Sequence, residues 1–147
     1  MKIVLKTGIL EIESNEIVDS LFDFGSRINK KRGFLFVSKV LGKHLPTKPS
    51  IMQKTYQQLA SLVPKIDEPT LFIGFAETAT ALGQGVFEEA NLVNSFYMHS
   101  TRFQTSEKVF FTFSEDHCHA PSHIFYEPKN PKLREMLNKI KRVILID

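Results

Sequence analysis

At 147 residues the chain is long enough for one domain with a sizeable core, since chains of this size bury roughly two-thirds of the surface their unfolded form exposes. Its 42% hydrophobic and 24% charged residues exclude a disordered or fibrous chain. A formal net charge of +3 falls short of the crowded basic face of a dedicated nucleic-acid binder, and no nucleic-acid partner is expected.

Thirteen Phe and no Trp suit packing between helices and a sheet better than a binding surface. The single Cys118 excludes an internal disulfide, and the opening residues carry no apolar run long enough for a signal peptide or a membrane span. A cytoplasmic location without a membrane partner is therefore expected. Basic clusters at Lys30 to Arg32, around Lys43 and around Lys141 either meet solvent or attract a phosphate-bearing ligand.

Residues 3–12 are apolar and β-branched with a Thr7-Gly8 break, which predicts two short strands or a hairpin. Over 14–28 the residues Ile17, Val18, Leu21, Phe22, Phe24 and Ile28 recur at helical spacing behind a Ser14 or Asn15 cap, predicting a helix. The run Phe34-Leu35-Phe36-Val37 predicts a strand buried on both faces. A loop with Gly42, Pro46 and Pro49 leads to a helix over 51–62 that Ser50 caps and Pro64 stops. The pattern then alternates: strand 70–74, helix 78–90, strands 94–99 and 109–113, helix 131–140 with Pro131 in its first turn, strand 143–146. Such alternation predicts an α/β fold, a mostly parallel sheet flanked by helices, with 70–74 and 143–146 as neighbouring inner strands. No repeat or linker divides the chain, so residues 1–147 are expected to form a single domain.

The sharpest chemical signal is LFIGFAETATALGQG at 71–85, an apolar strand running through Gly74 into a Thr- and Ala-rich helix start. In an open α/β sheet, anions bind where such a turn presents backbone N–H groups at the C-terminal strand ends. Ala76, Glu77, Thr78, Ala79 and Thr80 are the candidate anion-binding residues, the two threonines adding hydroxyl donors. A carboxylate at Glu77 repels a bare phosphate, so a divalent cation, most simply Mg²⁺, is expected between them. The plain alternative is a strand-to-helix turn with small packing residues.

The second segment, 97–126, mixes aromatic and polar residues, with Arg102 just past a strand end and His117, His119 and His123 close together. It suits a polar catalytic or substrate loop. A zinc site with Asp116 and Cys118 is a weaker option because no complete fourfold spacing is present. The third segment, KRVILID, ends an apolar strand in Asp147, where a carboxylate is well situated for sugar hydroxyls or a metal.

Taken together, RGFLFVSKVLGKHLPTKP, GFAETATALGQGVFE, the HSTR tetrad at 99–102 and SEDHCHAPSH resemble the phosphoribosyltransferase-like proteins found near bacterial tellurium-resistance genes. That branch is similar to orotate phosphoribosyltransferase, of the type I, Rossmann-like fold, and the resemblance runs over residues 32–147. It implies that Glu77 to Thr80 form the tip of a pyrophosphate-binding loop and that HSTR begins a loop closing over the reaction centre. It implies further that Asp147 is the first acid for the ribose hydroxyls of phosphoribosyl diphosphate. The implied chemistry is displacement of pyrophosphate from C1 by a base-like acceptor, with Mg²⁺ as cofactor. Arg102 and Lys43 are then the candidates for neutralising the leaving group, and His117 or His119 for closing over the site. Because a second acid and a Thr/Gly turn would follow Asp147, the chain is expected to be the N-terminal part of a longer domain and inactive in this form. The competing readings are a non-catalytic module of the same fold that binds a nucleotide or phosphorylated metabolite, and a zinc hydrolase. A homodimer is admitted as the assembly.

Overall fold

Gly8, at φ +138°, turns the N-terminal apolar run back on itself, a conformation that favours glycine. Strand β1 (Lys2–Leu5) accordingly pairs antiparallel with β2 (Gly8–Glu11), as the break predicts. The computed structural model describes residues 1–13, 16–30, 32–114 and 121–147. These divide into two compact units, Met1–Thr55 and Tyr56–Asp147.

In the first unit the expected helix over 14–28 is cut short. Helix α1 (Glu16–Leu21) gives way to β3 (Phe22–Ser26), which pairs antiparallel with β4 (Phe34–Ser38). Phe22 and Phe24 alternate with Asp23 and Gly25, and this period-two pattern prevails over the helical one because its partner strand supplies matching aromatics. Across the two strands Phe22 meets Phe36, and Phe24 meets Phe34 and Phe36, with ring centroids 5.0–6.5 Å apart, cross-strand contacts of roughly 0.2–1 kcal/mol each that a solitary helix cannot make. Strand β4 is not buried on both faces as expected, and Phe36 is 50% exposed. Its surroundings are those of a two-stranded ladder, not of an inner parallel strand.

Helix α2 (Pro49–Ser61) begins one residue before its expected cap and carries the chain into the second unit. There β5 (Thr70–Gly74), every residue of which is buried, lies between β6 (Ser95–His99) and β9 (Arg142–Ile146) in a parallel sheet of order β6-β5-β9. The expected parallel pairing of 70–74 with the last strand holds, Gly74 standing opposite Ile146. The expectation that both are inner strands does not hold. Among the described residues β9 has β5 on one side only and is an edge, with Leu145 62% exposed.

Alternation along β5 sends its residues to two faces. On one, Phe72 meets Phe87 of α3 (Thr78–Ala90) edge-on at 5.4 Å; fully buried Phe72 alone contributes about 2–3 kcal/mol. On the other, Leu71, Ile73 and Phe96 form a core with Phe125, packed against Leu133, Met136 and Leu137 of α4 (Pro131–Leu137). Helix α4 ends at Leu137 instead of 140. Phe125 belongs to β8 (Ser122–Tyr126), which pairs antiparallel with β7 (Val109–Ser114); β8 has no counterpart among the predicted strands. The result is a mixed α/β architecture, a parallel three-stranded sheet flanked by helices. Among the described residues, no helix is long and apolar enough to cross a membrane.

Candidate functional site: the turn after the central strand

The C-terminal end of β5 is built around Gly74. A Cβ at that position would lie 2.5 Å from the Ala79 carbonyl oxygen and run into Tyr97 Oη, so only glycine lets α3 begin this close to the strand. Gly83, one of two glycines that cost the helix roughly 1 kcal/mol each relative to Ala, has the same cause. Its Cβ would stand 3.1 Å from the Gly74 Cα. Tyr97 fills the space that the two glycines leave and donates its hydroxyl to the Thr80 carbonyl at 2.6 Å. Burial pushes the Tyr97 hydroxyl up to about 12.

Between Gly74 and α3 the chain makes a tight turn. The Phe75 N–H donates to Ile146 O at 3.2 Å, continuing the β5–β9 ladder, and the Ala79 N–H donates to Phe75 O at 3.0 Å. The peptide bond between Ala76 and Glu77 is cis. Glu77 occupies the N-cap of α3 without a side-chain cap hydrogen bond, and its side chain is 73% exposed. The positive end of the helix dipole thus opens on solvent at the C-terminal edge of the sheet, the location where α/β sheets receive anions.

Arg102 reaches the turn from the other side. Its side chain is only 14% exposed, its Nη2 donates to the Ala76 carbonyl at 3.0 Å, and its Nε lies 4.0 Å from a Glu77 carboxylate oxygen. With Glu77 in solvent, that ion pair is worth little; the hydrogen bond to the backbone is the firmer link. Beneath the turn, the Ala76 N–H donates to Ser100 Oγ at 2.7 Å, and Ser100 Oγ lies 2.8 Å from His123 Nδ1.

The sequence-derived candidates therefore fall as follows. Ala76, Glu77, Thr78, Ala79 and Thr80 make up the turn and first helical turn. Ala79 is fully buried, and its N–H is committed to Phe75 O. Asp147 follows β9 at the same end of the sheet, next to Phe75 through the ladder bond from Phe75 N to Ile146 O. Lys43 belongs to the first unit, in the loop between β4 and α2. His117 and His119, with Asp116 and Cys118, lie outside the described residues. His123, grouped with them on sequence, is instead a core residue 1% exposed, its ring flat against Phe113 at 4.6 Å. Among the described residues there is no group of three or more potential metal-ligating His, Cys, Asp or Glu. Ser100 belongs to the HSTR tetrad, and its one sequence signal is its position directly after a strand end.

A parallel sheet whose central strand runs through a tight turn into a helix, with an arginine against that turn, defines an α/β protein of the mixed, helix-flanked class. The family is specified by comparison: the phosphoribosyl transferase model matches residues 21–147, and the chain belongs to that family. No curated protein and no solved structure gives a significant match.

Proposed function

We propose that the protein transfers ribose 5-phosphate from phosphoribosyl diphosphate to a base-like acceptor, with the turn at 76–80 receiving the pyrophosphate group. The carrying observation is the open N-terminus of α3 directly after the buried central strand, in a chain of the phosphoribosyl transferase family. On this reading the Thr78 and Thr80 hydroxyls, at the positive end of the α3 dipole, hold diphosphate oxygens, and Asp147, one strand over, accepts hydrogen bonds from the ribose hydroxyls. The acceptor's electron pair forms the new bond to C1 while the pair of the C1–O bond departs on pyrophosphate. Arg102, whose side chain reaches the turn, offsets the charge that develops there.

The donor set at the turn fits Mg²⁺, which favours oxygen ligands and is commonly held by one or two carboxylates together with substrate phosphates. Glu77 is the exposed carboxylate that would hold it, with the diphosphate supplying other ligands. When bound, the ion neutralises charge on the diphosphate.

Calorimetry with Mg²⁺-pyrophosphate tests the site. Binding is expected in the wild type and is expected to be lost in Thr78→Val and Thr80→Val, whereas unchanged binding in both variants removes the turn from consideration. A pyrophosphate-release assay with phosphoribosyl diphosphate and a panel of nucleobases tests catalysis: release above background by these 147 residues supports transfer and overturns the expectation that this form is inactive.

A further inference from the structure

Ala76, at the head of the turn, is held through both of its backbone polar groups. Its carbonyl accepts from Arg102 and its N–H donates to Ser100 Oγ. Ser100 and His123 are each 1% exposed and lie against an apolar cluster that includes Phe75, Phe113 and Phe125. Polar groups in such surroundings carry a desolvation cost that apolar residues of similar volume avoid. What this pair supplies in return is orientation. The serine oxygen that accepts from the Ala76 amide is locked in rotation by the imidazole: Nδ1 either accepts the hydroxyl proton or, in the other tautomer, donates its own.

The backbone brings the two together. Ser100 N–H donates to Gly74 O, extending the β5–β6 ladder, and Thr101 exchanges two 2.9 Å hydrogen bonds with Ile124, the neighbour of His123. One strand end is thereby tied to the turn on one side and to β8 on the other.

We infer that Ser100 and His123 are positioning residues for the pyrophosphate turn, acting through the Ala76 N–H to preset the backbone of 76–80. The inference rests on the turn being the pyrophosphate site. Neither side chain touches the ligand.

The test uses two substitutions at His123 that separate packing from polarity, alongside Ser100→Ala. His123→Phe keeps a flat ring against Phe113 and removes the nitrogens. His123→Asn restores a polar atom near the position of Nδ1 and gives up the ring. Mg²⁺-pyrophosphate affinity by calorimetry is expected to fall about tenfold in Ser100→Ala and in His123→Phe, the consequence of one lost buried hydrogen bond at the turn. His123→Phe, which leaves the buried Ser100 hydroxyl without its ring partner, should melt below the wild type. His123→Asn should melt lower yet bind more tightly than His123→Phe. That crossing of affinity and stability is not produced by a residue that merely fills space. Wild-type affinity in Ser100→Ala or in His123→Phe, or an Asn variant that binds no better than Phe, overturns the inference and leaves the turn as the site. Absence of binding in the wild type overturns the reading of the turn and this inference with it.

Discussion

Replacing Gly74 with Ala probes the close approach on which the site depends. The added Cβ would lie 2.5 Å from the Ala79 carbonyl oxygen, a backbone atom that cannot rotate away. Restoring an ordinary contact of about 3.5 Å requires α3 to retreat by about 1 Å. Overpacking of this kind costs roughly 1–3 kcal/mol, and the backbone origin of the clash argues for the upper end. The reduced freedom of the unfolded chain returns about 0.4–1 kcal/mol, leaving a net loss of about 2 kcal/mol. For a chain of this size, that corresponds to a fall in melting temperature of about 4–8 °C. Retreat of α3 also moves Thr80 and the turn, so Mg²⁺-pyrophosphate binding should weaken in the same variant. Tyr97→Phe, combined with Gly74→Ala, removes the Oη part of the clash but not the Ala79 part, and the double variant should be less destabilised than the sum of the singles by about 0.5–1 kcal/mol. Thermal melts of the four proteins decide it. A Gly74→Ala protein that melts within about 1 °C of wild type and binds pyrophosphate normally would refute the close-packing argument.

Tyr97 also predicts a pH dependence. Its hydroxyl is raised from 10.0 to about 12 by burial, so the folded state keeps a proton that the unfolded state loses. The corresponding stability is fully present below pH 10 and is lost as the pH climbs to about 12. Urea midpoints across that window should fall less steeply in Tyr97→Phe, with a residual slope from Tyr56, which burial shifts in the same direction. At α4, Asn130 Oδ1 accepts from the Lys132 N–H at 2.9 Å and caps the helix ahead of Pro131. Asn130→Ala should cost about 1 kcal/mol in a denaturant titration, and no measurable change would mean that the cap contributes nothing to the second unit.

The elements that carry the candidate site were legible in the sequence because their signals are local. Strand 70–74 and helix 78–90 occupy their expected residues: a short apolar run reads as a buried strand, and small residues at helical spacing read as a helix laid close against it. The run of strand, Gly74 and threonines likewise marked the turn, and the family match over 21–147 agrees with those segments as far as the phosphoribosyl transferase family. Pairing with distant residues decided the rest. Phe22 and Phe24 fit a helix by spacing alone and become a strand because β4 pairs with them, setting Phe36 opposite Phe24 and its ring against Phe22. Strand β8 looked like a polar loop until Ile124 and Phe125 found β7 and the sheet core. The support under the turn is the clearest case: Ala76 and Ser100 are 24 residues apart, and Ser100 and His123 are 23 apart. No local pattern encodes such a link, because a serine hydroxyl and an imidazole acquire their partners only when the parallel ladder and the β7–β8 hairpin bring separate strand ends to the same buried point.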